Sequence, residues 1–131
     1  MNEKELKKVL SIFKSYKKIG LVYLFGSRAT GKVGPLSDYD FAVYLDEKDS
    51  KKRFDARLEL MGKISRVFKT DAIDLCIIND IKSPEFKYNI VKEGKVIFER
   101  EPFKILIEPR ILNEYFDFHC SLIEHNLTKT L

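Results

Sequence analysis

Two short apolar runs that lie close together in the sequence constrain the fold of this chain most. Residues 21–25 are all apolar, and in residues 40–45 every second side chain belongs to one apolar face. Both runs therefore predict strands. The link between them contains glycine and proline and leaves no room for a long crossover helix. The sequence therefore predicts that these two strands pair in an antiparallel ladder.

The other elements are predicted by periodicity and by helix punctuation. Apolar residues at helical spacing predict helices over residues 3–18 and 50–68. Ser83 as N-cap, Pro84 at the first helical position and Gly94 beyond the end predict a third helix. The apolar stripe of the second helix is expected to comprise Phe54, Leu58, Met61, Ile64 and Phe68.

The last part of the chain adds two strands and one more helix. Residues 71–78 and 96–98 predict the strands, and after breaks at Pro102 and Pro109 a helical stripe runs over 112–123. The order of elements predicts an α/β (α+β) domain, a mixed sheet with helices packed on one face. Residues 1–100 are expected to form the core domain, and 101–131 a helical extension that packs on the core or docks a partner.

Composition excludes several classes of protein. The chain has 131 residues, enough for one domain with a genuine core, and it contains no apolar run that could span a bilayer. Its N-terminus lacks the apolar centre of a signal peptide, and its two cysteines fit neither a disulfide scaffold nor a zinc site. We expect a cytoplasmic protein. Its 24 basic residues are interleaved with 20 acidic ones, and no stripe of basic and aromatic residues is visible, so a nucleic acid partner is not expected.

Three aspartates are predicted to meet at one edge of the sheet. A helix separates strands two and three, which predicts a right-handed parallel crossover between them. The end of strand one and the starts of strands two and three then lie together. This arrangement brings the Gly-Ser turn after strand one close to Asp38, Asp40 and Asp74. The two-residue period of a strand also places Asp38 and Asp40 on the same face.

Three clustered carboxylates predict a bound divalent cation, because they repel one another without a counter-charge. A set of oxygen ligands without His or Cys indicates Mg²⁺, or else Mn²⁺. Two such ions about 3.5–4 Å apart serve in-line phosphoryl displacement in polymerases. Glycine in the adjoining turn allows close approach of the backbone. The amide and hydroxyl groups of this Gly-Ser turn can donate to phosphate oxygens.

These motifs resemble those of a known superfamily. Gly26-Ser27, the Asp38-Tyr39-Asp40 segment and Asp74 resemble the signature of the DNA polymerase β-like nucleotidyltransferases. The short chain and the stretches "GSRATGK" and "SDYDFAVYL" are similar to the minimal nucleotidyltransferase (MNT) branch in particular. The resemblance extends over about residues 3–100, and it implies a nucleotidyltransferase with the polymerase β-like fold.

The resemblance implies a role for each of the motif residues. Asp38 and Asp40 would hold both metal ions, and Asp74 would help hold the catalytic ion and activate the acceptor. Gly26 and Ser27 would bind the phosphates of the nucleotide. Thr30 stands where relatives often carry Arg, and Arg28 remains available for one phosphate contact.

The same resemblance implies a partner and a substrate. MNT proteins commonly act as antitoxins beside an RNase toxin with a HEPN domain, and some of these pairs adenylylate the toxin with ATP. We therefore expect a protein adenylyltransferase that uses ATP and Mg²⁺ on a HEPN toxin. Two alternatives remain open: a binding-only antitoxin with a vestigial site, and a nucleotidyltransferase that acts on RNA or on a small molecule.

Two further expectations concern the surroundings of the carboxylates. The acceptor should approach across an open carboxylate face, with the segment after Pro102 as its docking surface, because the helices that carry Leu10, Phe13, Leu58 and Met61 should cover the opposite face. Tyr44 shares the face of Asp40 and is expected either to flank the base or ribose or to pack in the core.

Overall fold

The computed structural model describes residues 2–25, 39–70 and 72–124. The helices and strands in these ranges follow one another in the predicted order. None of the helices in these ranges is both long and apolar enough to cross a membrane. The elements are α1 (Glu3–Ser15), β1 (Ile19–Phe25), β2 (Tyr39–Leu45), α2 (Ser50–Phe68), β3 (Ile73–Ile77), a short 3₁₀ turn (Ile78–Asp80), α3 (Pro84–Glu93), β4 (Lys95–Glu99) and α4 (Phe103–Glu124).

The four strands form one mixed sheet in the order β3-β2-β1-β4. β1 pairs antiparallel with both β2 and β4, whereas β2 pairs parallel with β3. The predicted antiparallel pair and the predicted parallel crossover are therefore both confirmed. This topology places the end of β1 beside the starts of β2 and β3.

Helices cover both faces of the sheet, which corrects the prediction that they pack on one face. α1 and α2 pack on the face formed by residues such as Val22, Phe41 and Leu75. α3 and α4 pack on the opposite face, where Leu21 and Tyr23 belong to a second apolar cluster. The reason lies in β1, whose consecutive residues are almost all buried and so present apolar side chains on both sides. The predicted fold class and the mixed sheet are confirmed.

The buried stripe of α2 matches the predicted one at Met61, Ile64 and Phe68, which lie in or against the core, and differs from it at the start of the helix. Leu60 and Ile64 are buried in the core, and Ala56 lies against the same cluster one turn earlier. Phe54 and Leu58 are instead 54% and 51% exposed. The apolar surface of α2 is therefore wider than the part that the sheet and α1 can cover. Periodicity alone did not show which of these apolar residues would stay exposed.

α4 continues through Pro109, where a break was predicted. Proline removes the hydrogen bond to the carbonyl four residues earlier, here that of Ile105, which is 75% exposed and can be solvated. Ile107 and Ile111 on either side of the proline are buried against the sheet. Burial of these two residues offsets the loss of one hydrogen bond, so the helix is bound on both sides of the proline.

Polar side chains link the helices to the sheet. The hydroxyl group of Tyr23 donates to Glu108 Oε1 over 2.6 Å, which joins β1 to α4. Arg57 Nε donates over 2.7 Å to the carbonyl oxygen of Leu75 in β3. Arg100 donates to a group of backbone carbonyls at the end of α1 and the start of β1, those of Lys14, Tyr16, Lys17 and Ile19.

Candidate active site

Two of the predicted carboxylates lie side by side in the sheet. Asp40 in β2 and Asp74 in β3 are register partners in the parallel ladder. Neighbouring strands lie about 4.8 Å apart, so the two residues are separated by one strand spacing. Asp40 is half-buried and Asp74 is exposed. Two like charges this close repel each other, which favours a cation between them.

Both carboxylates project from the sheet face that α3 and α4 cover. The buried neighbours of Asp40, Tyr39 and Phe41, belong to the cluster under α1 and α2, so Asp40 points the other way. The same alternation applies to Asp74, which lies between Ile73 and Leu75. The carboxylate face is therefore not fully open as predicted: it is covered where Ile90, Ile107 and Ile111 pack, and accessible where Asp74 is exposed.

The remaining predicted site residues lie outside the described residues. They comprise the nucleotide-binding set and the third carboxylate, which are Gly26, Ser27, Arg28 and Asp38. The described residues that flank this set in sequence are Phe25 and Tyr39. Both lie next to Asp40, Phe25 as its register partner and Tyr39 as the residue before it in β2. Within the ranges that the structure describes, no group of three or more His, Cys, Asp or Glu residues could hold a metal ion. A three-carboxylate site therefore depends on Asp38.

Cys76 lies in β3, on the same face of the sheet as the two carboxylates. Burial, and secondarily the negative charge of Asp74, raises the pKa of the Cys76 thiol to about 11. The thiol therefore remains protonated at neutral pH. It behaves as a small apolar group and packs against the second apolar cluster. Cys76 is therefore a packing residue of this cluster.

Tyr44 packs and does not flank the carboxylates. It lies four residues along β2 from Asp40, and its ring is 5.6 Å from the ring of Phe103 at the start of α4. A strand rises about 3.3 Å per residue, which separates Tyr44 from Asp40 by about 13 Å. Of the two expectations for Tyr44, packing in the core is the one that the structure supports.

A cavity beside the carboxylates was missed by sequence reasoning. It has a volume of about 400 Å³ and lies between the end of β1 and α3. Phe25 and Phe86 form its aromatic wall, with ring centroids 6.0 Å apart in an edge-to-face arrangement. Phe25 is the antiparallel register partner of Asp40, so this wall of the cavity lies one strand away from Asp40, although neither carboxylate lines the cavity. The sequence signal was weak: Phe86 is one apolar residue near the start of a short helix.

Comparisons with known proteins support the polymerase β-like assignment. Residues 7–103 match the family model described as polymerase beta, nucleotidyltransferase. The chain is 34% identical over 85 residues to protein adenylyltransferase MntA of Aphanizomenon flos-aquae, a match that covers 60% of this chain and 56% of that protein. The chain thus matches just over half the length of this curated relative.

Solved structures agree with this result. A toxin–antitoxin structure with AMP-PNP contains a chain that is 25% identical, with a TM-score of 0.73 and coverage of 98% of this chain and 100% of that one. A chain in the structure of tri-AMPylated Shewanella oneidensis HEPN toxin with MNT antitoxin shows the same fold at 22% identity, with a TM-score of 0.71 and coverage of 98% and 100%. The predicted resemblance is confirmed, and the chain belongs to the polymerase beta nucleotidyltransferase family.

Proposed function

We propose that this chain is a divalent-metal-dependent adenylyltransferase, which moves AMP from ATP to a hydroxyl group of a protein acceptor. The observation that carries the proposal is the in-register pair of Asp40 and Asp74 in a chain of this family. The name of the Aphanizomenon relative, protein adenylyltransferase, supports AMP as the transferred group and a protein as its acceptor. The presence of AMP-PNP in a toxin–antitoxin structure that contains a similar chain supports ATP as the donor.

The residues of this chain fit a magnesium site. Asp40 and Asp74 offer carboxylate oxygens from adjacent strands, and Asp38, two residues before Asp40 in the sequence, would complete the set. These are hard oxygen ligands, which Mg²⁺ and Mn²⁺ prefer. When bound, up to two such ions would neutralise charge on the triphosphate and polarise the phosphoryl group under attack.

The remaining chemistry belongs to the protein side chains. Gly26, Ser27 and Arg28 would hold the triphosphate, and Asp74 would orient the acceptor hydroxyl and accept its proton. The acceptor oxygen then attacks the α-phosphorus while the bond from that phosphorus to the pyrophosphate oxygen breaks. The products are AMP esterified to the acceptor and free pyrophosphate, so every atom of ATP is accounted for.

A HEPN RNase toxin is the proposed acceptor, and this chain would be its antitoxin. The resemblance to the MNT branch implies this partner, and the similar chain in the structure with AMP-PNP belongs to a toxin–antitoxin pair. Residues 1–100 would carry the catalytic core, and residues 101–131 would supply the docking surface. Within the described part of α4, the last buried residue is Ile111, whereas Phe116 and Ile123 beyond it are 53% and 40% exposed.

The decisive experiment compares carboxylate variants in an ATP transfer assay. Labelled ATP, Mg²⁺ and the cognate HEPN protein are incubated with the wild type, Asp40→Asn and Asp74→Asn. Loss of one site carboxylate removes several kcal/mol of transition-state stabilisation, so transfer should fall by about 100-fold or more. The matched control is Asp55→Asn, an exposed carboxylate on α2 that should retain full activity.

A second readout tests the metal site without catalysis. Mg²⁺ or Mn²⁺ should raise the melting temperature of the wild type, because the ion relieves repulsion between paired carboxylates and binds only the folded state. Asp40→Asn should lose this increase and Asp55→Asn should keep it.

A tight complex with the HEPN protein that forms without any label transfer would instead identify a binding-only antitoxin. Transfer to RNA or to a small molecule, with none to protein, would identify a different acceptor.

The docking surface is tested by the double variant Phe116→Ser/Ile123→Ser. Both side chains are largely exposed, so the variant should fold with near wild-type stability. Its affinity for the HEPN protein should fall while its affinity for Mg²⁺-ATP is unchanged. Phe54→Ser is the matched control, because Phe54 is equally exposed but belongs to α2, a helix that packs on the opposite side of the sheet. Unchanged affinity in the double variant would place the interface elsewhere.

A further inference from the structure

We propose that the cavity whose aromatic wall is formed by Phe25 and Phe86 binds the adenine base of the nucleotide, and that Asn89 helps to select adenine. This inference rests on the proposed function and deepens it, since it assigns base recognition to described residues. It is based on three observations: the position of the cavity beside Asp40, its aromatic wall, and the charge of its rim.

Position relates the cavity to the reacting phosphate. Phe25 and Asp40 are directly opposite in the antiparallel ladder, so their side chains project from the same face about 5 Å apart. Asp74 follows on the next strand. A nucleotide whose α-phosphate lies at the carboxylates can therefore place its base over the end of β1, where the cavity opens. Its volume of about 400 Å³ lies within the range of small-molecule sites.

The aromatic wall offers a stacking surface. Phe86 is 43% exposed although it is a large apolar side chain, and its edge-to-face contact with Phe25 fixes the ring at the cavity. α3 is anchored to the sheet through buried Ile90, so the helix that carries Phe86 does not depend on the exposed ring for its place. An exposed aromatic ring on a fixed helix is suited to stack against a planar base.

The polar rim favours a base over a phosphate group. Glu85 and Glu93 line the cavity together with Ser83 and Asn89, and among the described residues that line it there is no lysine or arginine. Two carboxylates repel phosphate but can accept hydrogen bonds from an exocyclic amine. The Asn89 amide has an NH2 donor group and a carbonyl acceptor, a pattern that matches the N7 acceptor and the N6 amine on one edge of adenine. On that same edge guanine presents two acceptors, O6 and N7, so the carbonyl of the Asn89 amide would find no donor there.

The experiment measures binding of the four nucleoside triphosphates with Mg²⁺ by calorimetry to the full chain. The wild type should prefer ATP over GTP. Phe86→Ala should weaken ATP binding by about 10- to 100-fold, the range expected for loss of one stacking ring. Phe86→Tyr, which keeps the ring, should restore most of the affinity. Asn89→Ala should reduce the preference for ATP over GTP by about tenfold.

The matched control is Phe54→Ala, because Phe54 is an exposed phenylalanine on α2 outside this cavity. It should bind ATP as the wild type does. A structural readout on the wild type is independent of any variant: nuclear Overhauser effects should connect adenine protons of bound ATP with the ring protons of Phe86. Their presence supports the assignment even if a variant is unstable.

The outcomes separate this inference from the proposed function. If ATP binds and transfer depends on Asp40, but Phe86→Ala and Asn89→Ala bind all four nucleotides as the wild type does, the base lies elsewhere and only the inference fails. A preference for GTP overturns the choice of adenine. If the wild type binds no nucleotide with Mg²⁺, both proposals fail.

Discussion

Replacement of Arg100 by Met should destabilise the fold by about 3 kcal/mol. The Arg100 side chain follows β4 and reaches the end of α1, where the last carbonyl groups of a helix lack partners within the helix. Its guanidinium also lies 5.2 Å from the centre of the Phe98 ring. Met retains most of the packing of the aliphatic part of the side chain, but it removes every hydrogen bond that the guanidinium group donates.

The magnitude follows from the geometry of the guanidinium group. Nη1 lies 3.1, 2.9 and 2.6 Å from the carbonyl oxygens of Tyr16, Lys17 and Ile19, and Nη2 lies 3.3 Å from that of Lys14. Nη1 carries two protons, so it makes at most two strong bonds at once. Each hydrogen bond to a charged group contributes about 1.5–3 kcal/mol, and the half-buried position favours the lower value. Two bonds then give about 3 kcal/mol.

Urea unfolding followed by circular dichroism measures this loss. Arg100→Met should lower the unfolding free energy by about 2–4 kcal/mol, and Arg100→Lys should recover part of it because it restores a charge with different donor geometry. Arg110→Met is the control: it makes the same change of charge at an exposed site and should cost under about 0.5 kcal/mol. If Arg100→Met unfolds at the same urea concentration as this control, the carbonyl contacts do not stabilise the fold and the reasoning is refuted.

Further predictions concern the carboxylate face and its helices. Ile111→Ala should cost about 2–4 kcal/mol because Ile111 is 4% exposed, whereas Ile123→Ala at 40% exposure should cost under about 1 kcal/mol; equal losses in urea unfolding would contradict this division of α4. Tyr23→Phe should cost about 1–2 kcal/mol at neutral pH through loss of the bond to Glu108. Burial raises the pKa of Tyr23 above its ordinary value near 10, so this contribution is present below pH 10 and is lost as the pH rises further; a difference between the two proteins that persists unchanged at higher pH would refute it. Ser83→Ala removes the acceptor for the Phe86 amide and should cost about 1 kcal/mol, measurable as a lower melting temperature.

Strand pairing could be predicted from the sequence because short-range rules govern it. The short link between β1 and β2 and the helix between β2 and β3 determine strand direction, and direction alone brings Asp40 and Asp74 to one edge. The layering could not be predicted in the same way. A buried strand with apolar residues on both faces does not specify which helix covers which side, and α2 has more apolar residues than one buried stripe requires.

The cavity at Phe25 and Phe86 shows a second limit of sequence reasoning. Its two aromatic residues are 61 positions apart (86 − 25 = 61) and meet because α3 crosses the end of β1. Such a contact depends on how a helix is placed on the sheet, and side-chain packing rather than periodicity decides that placement. Motif residues can be recognised in the sequence because the chemistry restricts their type, whereas a base-binding surface allows many combinations of residues.

The contact between Arg57 and Leu75 also affects how the protein behaves at high concentration. In the described sheet β3 is an outer strand, and outer strands expose carbonyl and amide groups that can pair with a strand of another molecule. The guanidinium of Arg57 already binds the carbonyl of Leu75, in the middle of the five-residue strand. An incoming strand would have to displace a charged group to form a ladder there. One side chain thus fastens α2 to the sheet and also opposes aggregation through this edge.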